Sequence, residues 1–164
     1  MRTMVNETFY DEIVRDTSKI MEERQVATID LKGYQNYLLQ GNRLTLEKQY
    51  FERRRQLSTL ALSISISANQ PEVIEFLEEV IWEVCNEYTW ALPAHLKLNP
   101  VEQTFDSSSP RMIDLFAAET AQTLSEIMEL HEVLLSNQIK KESETKLKIE
   151  FFCLLKRKNG NGSG

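Results

Sequence analysis

The feature that most constrains this chain is its shortage of helix breakers. Before residue 160 there are only two glycines, Gly33 and Gly41, and four prolines, at 71, 93, 100 and 110. The other three glycines crowd into the last five residues. Between the breakers, apolar residues recur at spacings of three and four, the period of an amphipathic helix. The expected fold class is therefore all-α. Ser-Ile-Ser-Ile-Ser (63–67) alternates as a strand does, but its flanks are helical, so no strand is expected.

The helices can be placed roughly. The first is expected over about Val5–Arg24, with Phe9, Ile13, Ile20 and Met21 as its inner stripe. "LKGYQNYLLQGNR" follows as a short aromatic connector whose two glycines mark turns. A long helix over Leu44–Ala68 carries the basic cluster Arg53, Arg54 and Arg55, and Asn69, Gln70 and Pro71 interrupt it. The next helix starts at Pro71, a residue suited to a first turn, and runs to Glu87. It is expected to bury Val73, Leu77, Val80, Ile81, Val84 and Tyr88 while Glu72, Glu75, Glu78, Glu79 and Glu83 form a solvated acidic face.

In "SSSPRMID", Ser109 is the expected N-cap and Pro110 the first residue of a helix that runs to Ser136. Its inner side would hold Ile113, Phe116, Ala117, Leu124, Ile127, Met128 and Leu134. A last helix over Gln138–Lys156 leads into the glycine-rich end. The expected organisation is one helical domain over 1–157 and a flexible tail over 158–164.

Composition narrows the function classes. Hydrophobic residues make up 41% of the 164 and charged residues 27%, enough apolar material for one modest core. A formal net charge of -6 argues against nucleic acid as a partner. The start has charged residues within its first apolar stretch, so it is no signal-peptide core, and the run 56–71 is too short and too Ser-rich to span a bilayer. The chain reads as soluble and cytoplasmic, with no membrane association. Two cysteines, Cys85 and Cys153, each inside an apolar helical stretch, read as buried free thiols.

Several kinds of chemistry lack their residues. No glycine-rich phosphate loop exists, no paired-cysteine motif, and the two histidines, His95 and His131, do not form a zinc-protease helix. No cofactor and no metal are expected. What remains is a set of Arg, Tyr, Trp and His. Arg43, Tyr50 and Arg54 are spaced seven and four apart, on one helical face. "NEYTWALPAHL" adds Tyr88, Trp90 and His95. Bland readings stand beside these: ion pairs with Glu47 and Glu52 for the arginines, core packing for Tyr88 and Trp90, and a structural loop role for His95.

Three blocks carry a resemblance. "YQNYLLQGNRLTLEKQYFERRRQLSTLAL", "IWEVCNEYTWALPAHL" and "IDLFAAETAQTLSEIMELHEVL", from about Tyr34 to Leu135, resemble the early helical part of heparinase II/III-like proteins and occur in the same order. The resemblance implies helical hairpins forming an incomplete α/α toroid around a carbohydrate cleft. It implies polysaccharide lyase chemistry, β-elimination next to the carboxylate of a uronic-acid-containing glycan. The family's catalytic Asn or His and Tyr lie beyond the matched blocks, so catalytic residues are unknown for this chain, which is expected to be inactive alone.

By the same resemblance Tyr88, Trp90 and His95 belong near the cleft. Trp90 would stack on a sugar face, and Arg43 would meet a carboxylate. The tail "KNGNGSG" reads as a flexible terminus, an expression scar or a shifted reading frame. Helices without their toroid neighbours are expected to expose apolar faces and to self-associate. The alternative to the whole reading is a non-catalytic helical interaction or structural module.

Overall fold

The computed structural model describes residues 4–67, 70–99 and 101–159, with side chains described for 7–67, 70–99 and 101–150. The described residues form six helices, two short 3-10 turns and one small hairpin, so the chain is mostly helical. Ala68, Asn69, Pro100 and Gly160–Gly164, on which some sequence expectations fell, lie outside the described residues, as does the side chain of Cys153.

Helix α1 (Met4–Glu23) lies against α3 (Leu44–Ile66). Its buried row is Ile13, Thr17 and Ile20, whereas Phe9 is 53% exposed and so falls off the expected stripe. The stretch read as a connector is a helix, α2 (Leu31–Gln40). Asp30 caps it, its Oδ1 accepting the Gly33 N–H at 2.8 Å. Gly41, at φ +66°, closes it with a left-handed turn whose N–H groups return to Asn36 and Tyr37 carbonyls. Gly41 thus marks a turn as expected, but Gly33 marks a close approach. A Cβ there would sit 2.9 Å from Leu46 Cδ1 on α3.

Helices α3 and α4 (Pro71–Cys85) make the most extensive helix pair. Phe76, Leu77, Val80, Ile81 and Val84 of α4 close completely over Leu57 and Leu60 of α3. Each such side chain contributes roughly 1.5–3 kcal/mol by leaving water. Glu72, Glu75, Glu79 and Glu83 face solvent, as the spacing predicts, and Glu78 is half-buried. Tyr88, expected in the buried row, lies beyond the end of α4 and is 45% exposed.

The segment after α4 holds the main departures from expectation. Strands β1 (Leu98–Asn99) and β2 (Thr104–Phe105) pair antiparallel, Leu98 opposite Phe105. Asn99 Oδ1 accepts the Val101 and Glu102 N–H groups, and Gln103 takes a positive φ of 54°, which together turn the chain back. Ser109 caps no helix. It is buried in a 3-10 turn (Ser109–Arg111), and its hydroxyl donates to the Lys97 carbonyl at 3.0 Å.

Helix α5 (Leu115–His131) is instead capped by Asp114, whose Oδ1 accepts the Ala117 N–H at 2.8 Å. It ends at His131 rather than Ser136, and the turn that follows buries Leu135 and leaves Leu134 41% exposed. Helix α6 (Asn137–Asn159) packs across α4 and α5. Several large apolar side chains stay exposed, among them Phe51, Leu62 and Ile66 along α3. Among the described residues, no helix is long and apolar enough to cross a membrane.

Candidate functional site

Little more than one turn of α3 brings Tyr50, Arg53 and Arg54 toward the C-terminal end of α4. The Arg54 guanidinium grips the Glu87 carboxylate with both arms, Nη1 to Oε1 and Nη2 to Oε2, each at 2.6 Å. Arg53 Nη1 donates to the same Oε1 at 3.1 Å, while its Nε donates to the Ala27 carbonyl at 2.7 Å. The Glu87 side chain is 1% exposed and that of Arg53 4%. Arg54 also donates through Nε to Thr120 Oγ1 on α5 and lies 4.1 Å over the Tyr50 ring. Both arginines are thus spent on holding α3, α4 and α5 together.

Above this buried cluster lies a groove of about 640 Å³. Helix α2 and the Thr28–Asp30 segment form one wall, β2 the other, and the α4 end the floor. Three aromatic rings meet in it. Tyr34 lies edge-on to Tyr88 at 5.8 Å and to Phe105 at 5.7 Å, and Tyr88 is tilted against Phe105 at 6.2 Å. Asp30, Glu83 and Glu87 are the lining carboxylates, and Arg53 the lining cation. Arg53 reaches Glu83 Oε2 only at 3.8 Å.

Protonation limits what the groove can do. Burial pushes the Tyr34 hydroxyl far above its ordinary value, with the Glu87 charge adding to the effect. Burial also raises Tyr50, and burial together with Asp106 raises Tyr88. These phenols stay protonated near neutrality, so they donate hydrogen bonds and offer ring faces rather than abstract protons. Burial likewise pushes the Cys85 thiol up to about 11, which makes it a poor nucleophile.

The four residues singled out from the sequence do not converge. Tyr88 lines the groove. Trp90 is 0% exposed, and its Nε1–H donates to the Val84 carbonyl at 2.8 Å. Its indole is a core side chain tying the loop to α4, with no face open for a sugar. Arg43 sits at the α3 N-terminus, exposed, with Nε 3.5 Å from Glu47 Oε1, the surface pair that its spacing also allowed. His95 lies outside the groove lining, in a 3-10 turn (Pro93–His95), with Nδ1 2.5 Å from Asp114 Oδ2. A carboxylate only accepts, so Nδ1 carries the proton. The same Asp114 oxygen accepts the Leu92 N–H at 3.0 Å, so His95 and Leu92 fasten the loop to the α5 cap.

The residues that sequence reasoning missed are Tyr34, Phe105 and Glu87. Their signal is long-range: α2, a two-residue strand and a helix end meet only in three dimensions. Among the described residues no cluster of three His, Cys, Asp or Glu is arranged to hold a metal ion. No family model matches the chain, and no curated protein matches it.

Proposed function

We propose that this chain is a helical part of a heparinase II/III-like polysaccharide lyase, its hairpins belonging to an incomplete α/α toroid, and that the Tyr88 groove holds a segment of a uronic-acid-containing glycan. The observation that carries this reading is the half-exposed Tyr88 ring, set against Tyr34 and Phe105 in a mainly apolar groove that also holds the polar side chains of Asp30, Gln35 and Asn86. Sugars present flat C–H faces that pack on aromatic rings, and hydroxyls that exchange hydrogen bonds with carboxylates, amides and phenols.

Within this reading the chain binds but does not cleave. β-Elimination needs a base and a group that takes up charge on the uronate carboxylate. The groove tyrosines are held protonated, and Arg53 and Arg54 are both bonded to Glu87. Proton abstraction belongs, in this proposal, to residues outside the chain.

Calorimetric titration with an oligosaccharide of alternating hexuronate and hexosamine tests the reading. Saturable binding is expected, weakened by about tenfold in Tyr88→Ala, the order of one lost aromatic contact. The ultraviolet absorbance of an unsaturated uronate should not develop. Absence of saturable binding overturns the proposal.

A further inference from the structure

Residues 24–30, between α1 and α2, cross the molecule as a strap. Among the described residues, none of 25–29 takes part in a backbone–backbone hydrogen bond. Side chains of α3 hold the strap instead. Gln56 accepts the Ala27 N–H through Oε1 at 3.0 Å and donates through Nε2 to the Gln25 carbonyl at 2.8 Å. Arg53 Nε donates to the Ala27 carbonyl at 2.7 Å. Gln56 and Arg53 are buried, whereas no residue of the strap is fully so.

The entry to the strap is strained. Arg24 ends α1 with a left-handed φ of 37°, its N–H returning to the Ile20 carbonyl, in a position that glycine usually fills. Its guanidinium meets Glu75 Oε2 at 2.6 Å in an ion pair open to solvent. The strap also divides two cavities. On one side lies the Tyr88 groove, and on the other a groove of about 710 Å³ bounded by the strap, α4 and the start of α6. Thr28, Arg53 and Glu83 line both.

We propose that residues 24–30 lift as a unit without unfolding of the helices, with the Arg24–Glu75 pair as latch and Gln56 as clasp. Lifting joins the two grooves into one trench floored by Arg53 and Glu83, and frees the Arg53 Nε–H that holds the closed strap. It breaks three strap hydrogen bonds, the latch and the contact of half-buried Val26 with the core. The Glu87 bonds of Arg53 and Arg54 do not involve the strap, so α3, α4 and α5 stay joined. Such an opening costs less than global unfolding. It does not depend on which ligand the groove takes.

Amide hydrogen exchange of the whole chain in low urea tests this. The Ala27 amide should exchange through an opening almost independent of urea, because little surface is exposed. The Val80 amide in the core should follow global unfolding, with its steep urea dependence. Glu75→Gln, at an exposed side chain, should speed Ala27 exchange by about two- to fivefold. Gln56→Ala should speed it by at least about tenfold, the order of two lost hydrogen bonds. Ile81→Val, in the core of α4, should speed Val80 by about two- to tenfold and leave Ala27 unchanged.

An Ala27 amide that shares the urea dependence of Val80, or that accelerates with it in Ile81→Val, opens only by global unfolding and overturns the strap. An Ala27 rate unchanged in Glu75→Gln marks a fluctuation of one hydrogen bond and overturns the lifting of 24–30 as a unit.

Discussion

Arg54 and Glu87 form a two-armed ion pair, both contacts at 2.6 Å, in which the carboxylate is withdrawn almost entirely from water. Arg53 shares the same oxygen, so one buried carboxylate bridges two guanidinium groups, and Glu83 at 3.8 Å from Arg53 supplies the second negative charge. The arrangement is tolerable because every partner is hydrogen-bonded. Removing the anion is a different matter, since it strands Arg54 without a counter-charge and leaves Arg53 only the more distant Glu83 carboxylate.

Glu87→Gln keeps the side-chain shape and one acceptor but removes the charge. It is expected to cost about 3–5 kcal/mol, a large share of the stability of an ordinary domain. Urea denaturation followed by circular dichroism measures this directly. A loss below about 1 kcal/mol would mean that the pair is solvated rather than buried.

The two tryptophans provide an optical test of the loop. Trp90 is fully buried, whereas Trp82 on α4 is 41% exposed. In Trp82→Phe the remaining emission should be blue-shifted and resistant to iodide, and added glycan should leave it unchanged. In Trp90→Phe the remaining emission should be red-shifted and readily quenched. A quenchable Trp90 would return that ring to the list of sugar-stacking candidates.

Much of the helical framework was legible because α3 and α4 obey a simple rule: apolar residues at three and four, breakers at the ends. Pro71 and the glutamate face of α4 fell where that rule puts them. The reading failed where one residue type serves two purposes. Gly33 looked like a turn, yet it is the point where α2 presses on Leu46. Ser109-Pro110 looked like a helix start, but the Ser109 hydroxyl had a nearer acceptor in Lys97 O, and Asp114 took the cap.

The candidate site was less legible. Tyr88 could be named because it is aromatic and near a proline-bounded loop. Its ring partners could not, since Tyr34 and Phe105 are 54 and 17 residues away from it and meet it only when α2 and the hairpin dock. Arg43 shared a face with Tyr50 and Arg54 by spacing alone. At the exposed first turn of α3 it finds Glu47, while deeper in the helix Arg54 finds Glu87.

Alkaline pH should expose the buried phenols and thiol. Cys85 moves from an ordinary 9.0 up to about 11 through burial, and burial also raises Tyr50 and Tyr34 above 10.0. A group whose pKa is higher folded than unfolded holds its proton better in the native state. Its stabilisation is complete below the unfolded value and is lost as pH rises toward the folded one. Stability should therefore begin to fall at about pH 9 through Cys85, and fall more steeply above pH 10, where Tyr34 and Tyr50 add to the loss. Urea midpoints against pH, read beside tyrosinate absorbance, check this. Ionisation of all five tyrosines near pH 10 without loss of helix would contradict the burial of Tyr34 and Tyr50.

Asp114 links the loop before the hairpin to α5 through three acceptor contacts: Ala117 N–H, Leu92 N–H and His95 Nδ1. Asp114→Ala removes all three. Loss of the helix cap alone costs about 1 kcal/mol, and the unpaired Leu92 N–H adds about as much again. Asp114→Asn preserves the cap through its one oxygen but puts an amide NH2 where Oδ2 accepted, so the Leu92 and His95 contacts are lost. Amide hydrogen exchange separates the two effects. In Asp114→Ala both Leu92 and the first turn of α5 should exchange faster. In Asp114→Asn the α5 turn should stay protected, with any acceleration confined to the 92–96 loop. Equal acceleration of both segments in Asp114→Asn would mean that the carboxylate charge, rather than the cap geometry, anchors α5.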